Sequence, residues 1–368
     1  MKILQVLEFN KFNTGSVHQM FQAAVGLRER GHDVTIASRP EAELEARAKE
    51  QGICFAGFPF RNAVDFRTTL GLARLIGEIR PDVIHAHKGL AHSHALLASW
   101  RHPAGAFVVN RGVSFPLDFW NRGKYRSKRV DLIVTVCQQN KDVVVDSGKV
   151  PSEKVEVVFA GTDVELFDPA KWDPRAFRRE KGIADDAYVI AQVGVRDWKG
   201  WMELIDSVSD VVPTHPNVQL ALIGCKTPED ADDIRRYASQ AGIATNVIPV
   251  EVRSDMPSVF ASCDLVVDAS WAGTGITGTI REAMAMEKPV IATDAGGNVE
   301  LITTPDVGWM IPMKDRAALT RTILEVMESP RSAEIGRRAR QHVINGYSKE
   351  LRIDKLERLY RGILERKK

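Results

Sequence analysis

Short apolar runs alternate with longer amphipathic stretches along most of this chain, separated by turns rich in glycine, proline or asparagine. A bounded apolar run predicts a buried strand, and apolar residues at three- and four-residue spacing predict a helix. The first repeat is a strand over residues 2–7, a turn that contains Gly15, a helix over Val17–Arg30 and a strand over Val34–Ala37. Such alternation favours a parallel sheet with helices on both faces.

The alternation is interrupted by Asp-Pro pairs at 168–169 and 173–174 and begins again near residue 188. A chain of 368 residues is also longer than one hydrophobic core usually supports. We therefore predict an α/β protein with two doubly wound domains and a C-terminal helical segment. The predicted bounds are 1–165, 166–345 and, for the C-terminal segment, 346–368.

A glycine-rich turn within the stretch Ala269–Ile302 links a strand directly to a helix. The strand ends at Asp268, three glycines lie in 273–278, and helical spacing begins near Ile280. The unpaired backbone N–H groups of such a turn point together, and the helix dipole favours negative charge there, so we expect a phosphate. Glu282, in the predicted first turn of the helix, could accept two hydrogen bonds from the vicinal diol of a ribose.

A second candidate anion site follows the strand over 188–194. Two cations, Arg196 and Lys199, occupy the short turn before the next helix. A solvated surface pair is the alternative interpretation. A further strand over 288–294 leads into Gly296 and Gly297, and successive strand ends with glycine turns predict one edge of a ligand crevice.

The first strand–turn–helix unit lacks the marks of a dinucleotide site. Its turn has the single glycine Gly15, and Arg39 stands where an acid should close the second strand. This pattern argues against a nicotinamide-dependent enzyme.

Four histidines lie within ten residues, at positions 85, 87, 92 and 94. A metal site is one interpretation, because His85 and His87 share a strand face. No carboxylate or cysteine is close in sequence, and His92 and His94 point to different sides of the predicted helix. We favour polar residues that line a cleft.

The segment 111–129 follows a strand and carries six cations, one acid and four aromatic residues. It is interpreted either as a solvated helical rim or as a surface for anionic lipid or a phosphorylated glycan. The sequence leaves both open.

Composition, charge and cysteine spacing limit the classes of protein to which this chain can belong. Apolar residues make up 44% and charged residues 27%, as in soluble globular proteins. No apolar run reaches the roughly 20 residues that span a bilayer, and the first residues read as a strand, so we expect a cytoplasmic protein. A net charge of +2 does not favour nucleic-acid binding. The four cysteines form no Cys-x-x-Cys pair, which predicts buried thiols.

Together these motifs resemble the donor-binding segment of retaining glycosyltransferases of family 4, whose GT-B fold has two Rossmann-like domains facing a central cleft. The family segment has two glutamates separated by seven residues, the first on the transferred sugar and the second on the ribose. Glu282 matches the second, whereas Thr274 stands in place of the first. The matching positions are Gly275, Glu282–Ala285, Lys288–Asp294, Gly296–Asn298 and Glu300-Leu301.

The resemblance also implies roles outside this segment. Lys199 matches the lysine that binds the donor diphosphate, and Arg196 is the nearest arginine, at a closer spacing. Asn110 and Arg111 stand where the family often has a histidine near the transferred sugar. The implied catalytic residues are Arg196, Lys199 and Arg111. The implied donor contacts are Gly15, Arg196, Lys199, Thr274, Gly275, Ile276, Thr277, Gly278 and Glu282.

The resemblance implies a retaining hexosyltransferase that needs no cofactor or metal, with a UDP-sugar as the expected donor. The expected acceptor is a glycan or glycolipid of lipopolysaccharide or another cell-envelope polysaccharide, at the inner face of the membrane. A sugar-nucleotide epimerase or phosphorylase of the same fold, and a non-catalytic nucleotide-sugar binding protein, are the alternatives.

Overall fold

The computed structural model describes residues 1–12, 14–272 and 275–367. The chain forms two compact units, one of Met1–Gly161 with Lys349–Lys368 and one of Thr162–Ser348. Among the described residues, no helix is both long and apolar enough to cross a membrane.

The first unit is a seven-stranded parallel sheet in the order β3-β2-β1-β4-β5-β6-β7. Its strands are β1 (Lys2–Leu7), β2 (Asp33–Ser38), β3 (Cys54–Gly57), β4 (Val83–His87), β5 (Ala106–Arg111), β6 (Leu132–Thr135) and β7 (Val155–Val157). Its helices are α1 (Gly15–Glu29), α2 (Ala42–Glu50), α3 (Phe66–Ile79), α4 (Gly89–Ala98), α5 (Phe119–Tyr125) and α6 (Gln138–Gly148). The central strands are buried on both faces, as their continuous apolar runs predict.

The second unit has a six-stranded parallel sheet in the order β10-β9-β8-β11-β12-β13. Its strands are β8 (Tyr188–Val193), β9 (Val218–Cys225), β10 (Val247–Glu251), β11 (Leu265–Asp268), β12 (Val290–Thr293) and β13 (Trp309–Ile311). Its helices are α7 (Ala176–Lys181), α8 (Trp201–Val211), α9 (Pro228–Gln240), α10 (Met256–Ala261), α11 (Gly278–Ala285), α12 (Asn298–Leu301), α13 (Arg316–Glu328) and α14 (Ser332–Tyr347).

Strand order reverses direction at β8, which pairs with β9 on one side and β11 on the other. Ligands of open α/β sheets bind outside the carboxyl ends of the strands at such a switch point. The turns after β8 and β11 therefore meet at one edge of this sheet, and these are the two predicted anion-binding turns.

The last helix, α15 (Lys349–Arg366), belongs to the first unit and packs on α1. Ile353, Leu356 and Tyr360 join the apolar cluster that α1 forms with the sheet. A Cβ added at Gly26 of α1 would lie 2.2 Å from Cδ1 of Ile353, so the Ile353 side chain fills the space that the missing side chain leaves. An apolar stripe along α15 thus covers one face of the first sheet.

The segment 111–129 contains a helix of its own. Asp118 caps α5 by accepting a hydrogen bond from the Asn121 backbone N–H at 2.8 Å, and Tyr125 is buried beneath the helix. A carboxylate at an N-cap satisfies an otherwise unpaired N–H. This part of the chain is therefore folded onto the first unit.

Candidate functional site

Two glycine turns place the site at the carboxyl ends of β8 and β11. The turn after β8 begins with Gly194 at φ +104° and ends with Gly200 at φ +68°. A Cβ at Gly200 would lie 2.1 Å from the carbonyl oxygen of Ala269, so only glycine lets the start of α8 approach β11 this closely. Gln192 joins the same two turns, since its amide donates to the Lys199 carbonyl and accepts from the Ala269 N–H, both at 3.1 Å.

A buried carboxylate, Asp268, is the centre of the site. It is 2% exposed and accepts hydrogen bonds from Lys199 Nζ (3.3 Å), Ser270 Oγ (2.5 Å), Thr277 Oγ1 (2.7 Å) and Asn298 Nδ2 (3.4 Å). Burial alone would raise the pKa of Asp268, but the Lys199 ammonium and the two hydroxyls outweigh it and hold that pKa below its usual range. Asp268 is therefore an anion that fixes four groups from three loops.

Lys199 is not part of a solvated surface pair. Its side chain is 12% exposed, is ion-paired with Asp268 and lies over the Gly194 backbone. Its ammonium also sits 5.2 Å from the centroid of the Trp198 ring. The surface-pair interpretation is wrong for this residue, because β11 supplies a buried partner 69 residues away.

Arg196 is exposed at the rim of the same turn, with its guanidinium 5.9 Å from the Trp198 ring centroid. The Trp271 indole N–H donates to the Asp197 carbonyl at 3.0 Å and ties this turn to the one after β11. In the described part of the chain, no carboxylate pairs with Arg196, so its charge is directed to solvent.

The turn before α11 differs from the prediction in one respect. The Thr277 N–H donates to Asn298 Oδ1 at 3.3 Å, and Ile276 and Thr277 are buried, so Thr277 cannot offer its amide to a phosphate. The first N–H groups of α11, which begins at Gly278, have no partner within the helix. Gly275 precedes them in the turn, and the predicted contact at Thr274 lies outside the described residues.

Glu282 lies in the second turn of α11 rather than the first, because the helix begins at Gly278. Burial raises the pKa of Glu282 to about 7, and the neighbouring Arg281 guanidinium only partly opposes this. Arg281 itself donates to Thr162 Oγ1 at 2.7 Å. No described residue donates a hydrogen bond to the Glu282 carboxylate, and its side chain is only partly buried, so this acid can accept from a ligand.

Gly15 and Arg111 belong to the first unit. Gly15 begins α1, and a Cβ there would meet no atom within 4 Å. The Arg111 guanidinium donates to the Phe115 carbonyl and, at 3.4 Å, to the Tyr125 hydroxyl. Arg111 is therefore held by its own segment, and its catalytic role stays a prediction.

The cleft-lining interpretation of the histidines is wrong for His85, His87 and His94, which are buried in hydrogen bonds of the first unit. His85 Nδ1 lies 2.5 Å from the Tyr360 hydroxyl, and His87 Nε2 lies 2.7 Å from Gln5 Oε1. His94 bonds Thr69 and Asn62. Burial lowers the pKa of His87 to about 3, so this ring stays neutral.

Within the described residues, no group of three His, Cys, Asp or Glu side chains could hold a metal ion. The sequence does contain an Asp-x-Asp pattern at 230–232. Asp230 accepts from the backbone N–H groups of Lys226 and Thr227, and Asp232 pairs with Arg235 at 2.8 Å. Both carboxylates thus stabilise the first turns of α9.

The sequence alone assigned no role to Asp268 or to the side chain of Asn298, although Asn298 lies in the segment that resembles the family. An aspartate at the end of an otherwise apolar strand was the available signal, since a buried carboxylate requires partners. For Asn298, the only signal in the sequence was its position directly after two glycines. Their partners lie up to 69 residues away and become visible only when β8, β11 and β12 are aligned.

Two family models match this chain in succession. The one described as Glycosyltransferase Family 4 matches residues 14–166, and the one described as Glycosyl transferases group 1 matches residues 187–329. They fall on the first and second units respectively.

A similar protein is a UDP-Gal:alpha-D-GlcNAc-diphosphoundecaprenol alpha-1,3-galactosyltransferase from Escherichia coli. It is 20% identical over 312 residues, which cover 80% of this chain and 79% of the relative.

Solved structures share the fold. A glycosyltransferase from Rickettsia africae superposes with a TM-score of 0.90 and 21% identity over 99% of this chain and 98% of that one. HepE from Anabaena, solved with UDP-glucose, superposes with a TM-score of 0.85 and 20% identity over 98% and 100%. The predicted fold class, GT-B with two Rossmann-like domains, is confirmed.

Proposed function

Because the chain belongs to the group 1, family 4 glycosyltransferases, we propose that it moves a hexose from a UDP-sugar to a hydroxyl group of a glycan or glycolipid, with retention of anomeric configuration. One observation carries this proposal. In the second unit, the oriented cation Lys199 and the start of α11 lie at neighbouring strand ends at the switch point of the sheet, and Glu282 follows in the second turn of α11.

The cations act on the leaving group. When the bond between the anomeric carbon and the diphosphate breaks, negative charge grows on the phosphate oxygens. Lys199, Arg196 and the free N–H groups of α11 can stabilise this charge. Interactions that strengthen as charge develops are those that accelerate a reaction step. Because Asp268 fixes Lys199 before the donor binds, little reorganisation is required during the step.

Glu282 provides the anchor for the ribose. A carboxylate can accept from two adjacent hydroxyl groups at once, and Glu282 has no protein donor among the described residues. The anchored ribose holds the diphosphate in register with Lys199. The donor is thereby fixed at both ends of its diphosphate.

In the proposed mechanism, the anomeric configuration is retained without a nucleophile from the protein. The acceptor oxygen bonds to the anomeric carbon on the face the diphosphate leaves, and a phosphate oxygen takes the acceptor proton. The products are the glycoside and UDP. The cations supply the charge stabilisation that a divalent metal would otherwise give, so we propose metal-independent transfer.

The acceptor belongs to cell-envelope polysaccharide synthesis, such as that of lipopolysaccharide, in this proposal. The name of the E. coli relative specifies a sugar on diphosphoundecaprenol, a lipid carrier. A glycolipid acceptor would place the reaction at the cytoplasmic face of the membrane.

Incubation with radiolabelled UDP-glucose, UDP-galactose and UDP-N-acetylglucosamine, with and without membrane lipid extract, tests the function. We expect label in the lipid fraction only when extract is present, with loss in Lys199→Ala and full activity in Lys226→Ala, an exposed lysine of the same unit. Isomerised nucleotide sugar would indicate an epimerase, and released sugar phosphate a phosphorylase. Binding without any reaction would indicate a non-catalytic protein.

A further inference from the structure

The most exposed apolar side chains are concentrated in one part of the first unit. Among the described residues, every large apolar side chain that is more than half exposed lies between Val64 and Trp120. They are Val64 (71%), Phe66 (76%), Leu70 (61%), Leu97 (54%), Trp100 (64%), Phe115 (62%), Phe119 (74%) and Trp120 (88%). Such a concentration of exposed large apolar side chains in one part of a chain favours an interaction site there.

Five of these side chains lie on the helices α3, α4 and α5, and Val64, Trp100 and Phe115 lie in the turns beside them. The buried sides of the three helices share one apolar cluster on a single face of the sheet. The layer is held together by Thr69 on α3, which bonds His94 on α4 at 2.8 Å, and by Lys124 on α5, which bonds Ser93 on α4 at 3.2 Å. We call this surface, residues 61–129 of the helix layer, the α3–α5 surface.

The α3–α5 surface is basic, with seven exposed cations and three exposed acids in residues 61–129. The whole segment, which also includes β4 and β5, contains twelve Lys and Arg against four Asp and Glu, a net charge of +8 in a chain whose total is +2. Two of those acids, Asp65 and Asp118, accept backbone hydrogen bonds at the starts of α3 and α5. On α3, Phe66, Leu70 and Arg74 follow one another at four-residue spacing and are all exposed, so apolar and cationic groups share one helix face.

The structure changes which cations of 111–129 can meet a ligand. Lys124 donates to Ser93 and to the Gly89 carbonyl, and Arg129 donates to the carbonyls of Ser99 and Trp100. Arg126 and Lys128 are exposed. A surface defined by 111–129 alone therefore has few free cations, and α3 supplies the others.

We infer that the α3–α5 surface docks the first unit on an anionic lipid membrane, with Phe66, Phe119 and Trp120 inserted at the headgroup boundary. Aromatic side chains beside Lys and Arg are the combination that binds such interfaces. A second copy of this chain does not fit, since two surfaces with an excess of exposed cations repel each other. The inference deepens the proposed function and rests on it for the reason to be at a membrane, because a glycolipid acceptor is presented there.

Flotation with vesicles tests the inference without any nucleotide sugar, so its outcome is independent of the transfer assay. We expect the full chain to float with vesicles of phosphatidylcholine and phosphatidylglycerol, not with phosphatidylcholine alone. Each exposed cation near an anionic surface strengthens binding about fivefold. The variant Arg67→Ser, Arg74→Ser, Arg126→Ser, Lys128→Ser should therefore bind at least tenfold more weakly.

A variant that lacks the exposed aromatic side chains distinguishes their insertion into the membrane from attraction by charge alone. Phe66→Ser, Phe119→Ser, Trp120→Ser should bind only at low salt, and brominated lipids should quench wild-type fluorescence more than that of Trp120→Phe. The matched controls lie in the second unit: Arg235→Ser, Arg236→Ser, Arg321→Ser, Arg337→Ser for charge, and Val252→Ser, Met313→Ser for apolar exposure. Unchanged melting temperatures show that the variants are folded.

Failure of the wild type to bind anionic vesicles at low salt would overturn the inference, as would equal losses in the surface variants and their controls. Self-association that the surface variants abolish, without vesicle binding, would overturn it in favour of a protein interface. Sugar transfer to a soluble acceptor in the absence of vesicle binding would overturn the inference while leaving the proposed function intact.

Discussion

Asp268 is the residue through which the structure orients the donor site. A buried carboxylate is unfavourable unless donors surround it, and here Lys199, Ser270, Thr277 and Asn298 do so. The same bonds join the turn after β8, the turn after β11 and the start of α12. In the proposed reaction, Asp268 would act through Lys199, which it orients.

The conservative variant Asp268→Asn should lower kcat more than it raises KM. The amide keeps the shape but loses the charge that orients Lys199, so we expect kcat to fall by about 10- to 100-fold, or ~1.4 to 2.7 kcal/mol. Steady-state kinetics with UDP-glucose checks this, and Asp268→Glu, which keeps the charge, should recover part of kcat. Equal changes in kcat and KM would show that Asp268 only supports the fold.

The proposed contact between Glu282 and the ribose predicts that donor affinity depends on pH. A ribose diol donates to the ionised carboxylate, and the pKa of about 7 means that protonation below neutrality removes this acceptor. We expect UDP-glucose to bind about tenfold more weakly at pH 6 than at pH 8 by calorimetry. The phosphates of a nucleotide sugar are diesters that do not titrate in this range.

Glu282→Gln should remove this pH dependence and weaken binding by roughly 1.5–3 kcal/mol. Glu287→Gln, two residues beyond the end of α11, is the control and should keep the wild-type profile. A pH dependence that persists in Glu282→Gln would assign it to another group. The same carboxyl group affects folding stability in the opposite direction to donor binding. Its pKa in the folded state lies above the ordinary 4.5, so its contribution to the free energy of unfolding falls as the pH rises towards 7.

At the scale of elements, the sequence predicted the alternation of strands and helices well, because buried parallel strands are apolar runs and amphipathic helices have a clear period. β1 has the predicted bounds, and the helix predicted over Val17–Arg30 is α1, at Gly15–Glu29. The positions of the buried histidines could not be predicted from these patterns. The hydroxyl beside His85 comes from Tyr360 on the last helix, 275 residues away, and no local pattern reveals such a partner.

The junction between β8 and α8 gives a prediction about backbone geometry. Gly200→Ala should destabilise the fold by about 2–4 kcal/mol, since the left-handed φ costs roughly 1 kcal/mol and the new methyl group must displace the Ala269 carbonyl. Gly182→Ala is the matched control, with φ +66° but no atom within 4 Å. Urea unfolding of both variants checks this. Equal losses of stability in the two variants would show that the start of α8 does not approach β11 closely enough for the added methyl group to clash.

On the scale of the whole molecule, the sequence predicted the fold class and the two candidate anion turns, both through glycine placement and strand ends. It did not predict that Thr277 bonds Asn298 or that Lys124 is enclosed by α4, because these contacts depend on how distant elements pack. The charge of the chain is also unevenly distributed. A total of +2 conceals +8 in residues 61–129.

The proposed donor predicts which ligands stabilise the chain. A ligand that binds only the folded state at 100 times its Kd adds about 2.7 kcal/mol to the free energy of unfolding. In a thermal-shift screen, UDP-sugars should raise the melting temperature more than GDP- or ADP-sugars, and Lys199→Ala should reduce the shift. A larger shift with another base would replace UDP in the proposal.

A crystal structure of the full chain with UDP-glucose tests the central claim most directly, through the distances from Glu282 and Lys199 to the nucleotide. The account predicts Glu282 oxygens within hydrogen-bond distance of both ribose hydroxyl groups and Lys199 Nζ within the same distance of a diphosphate oxygen, with its Asp268 contact retained. A nucleotide bound away from the ends of β8 and β11, with Glu282 and Lys199 untouched, would contradict it.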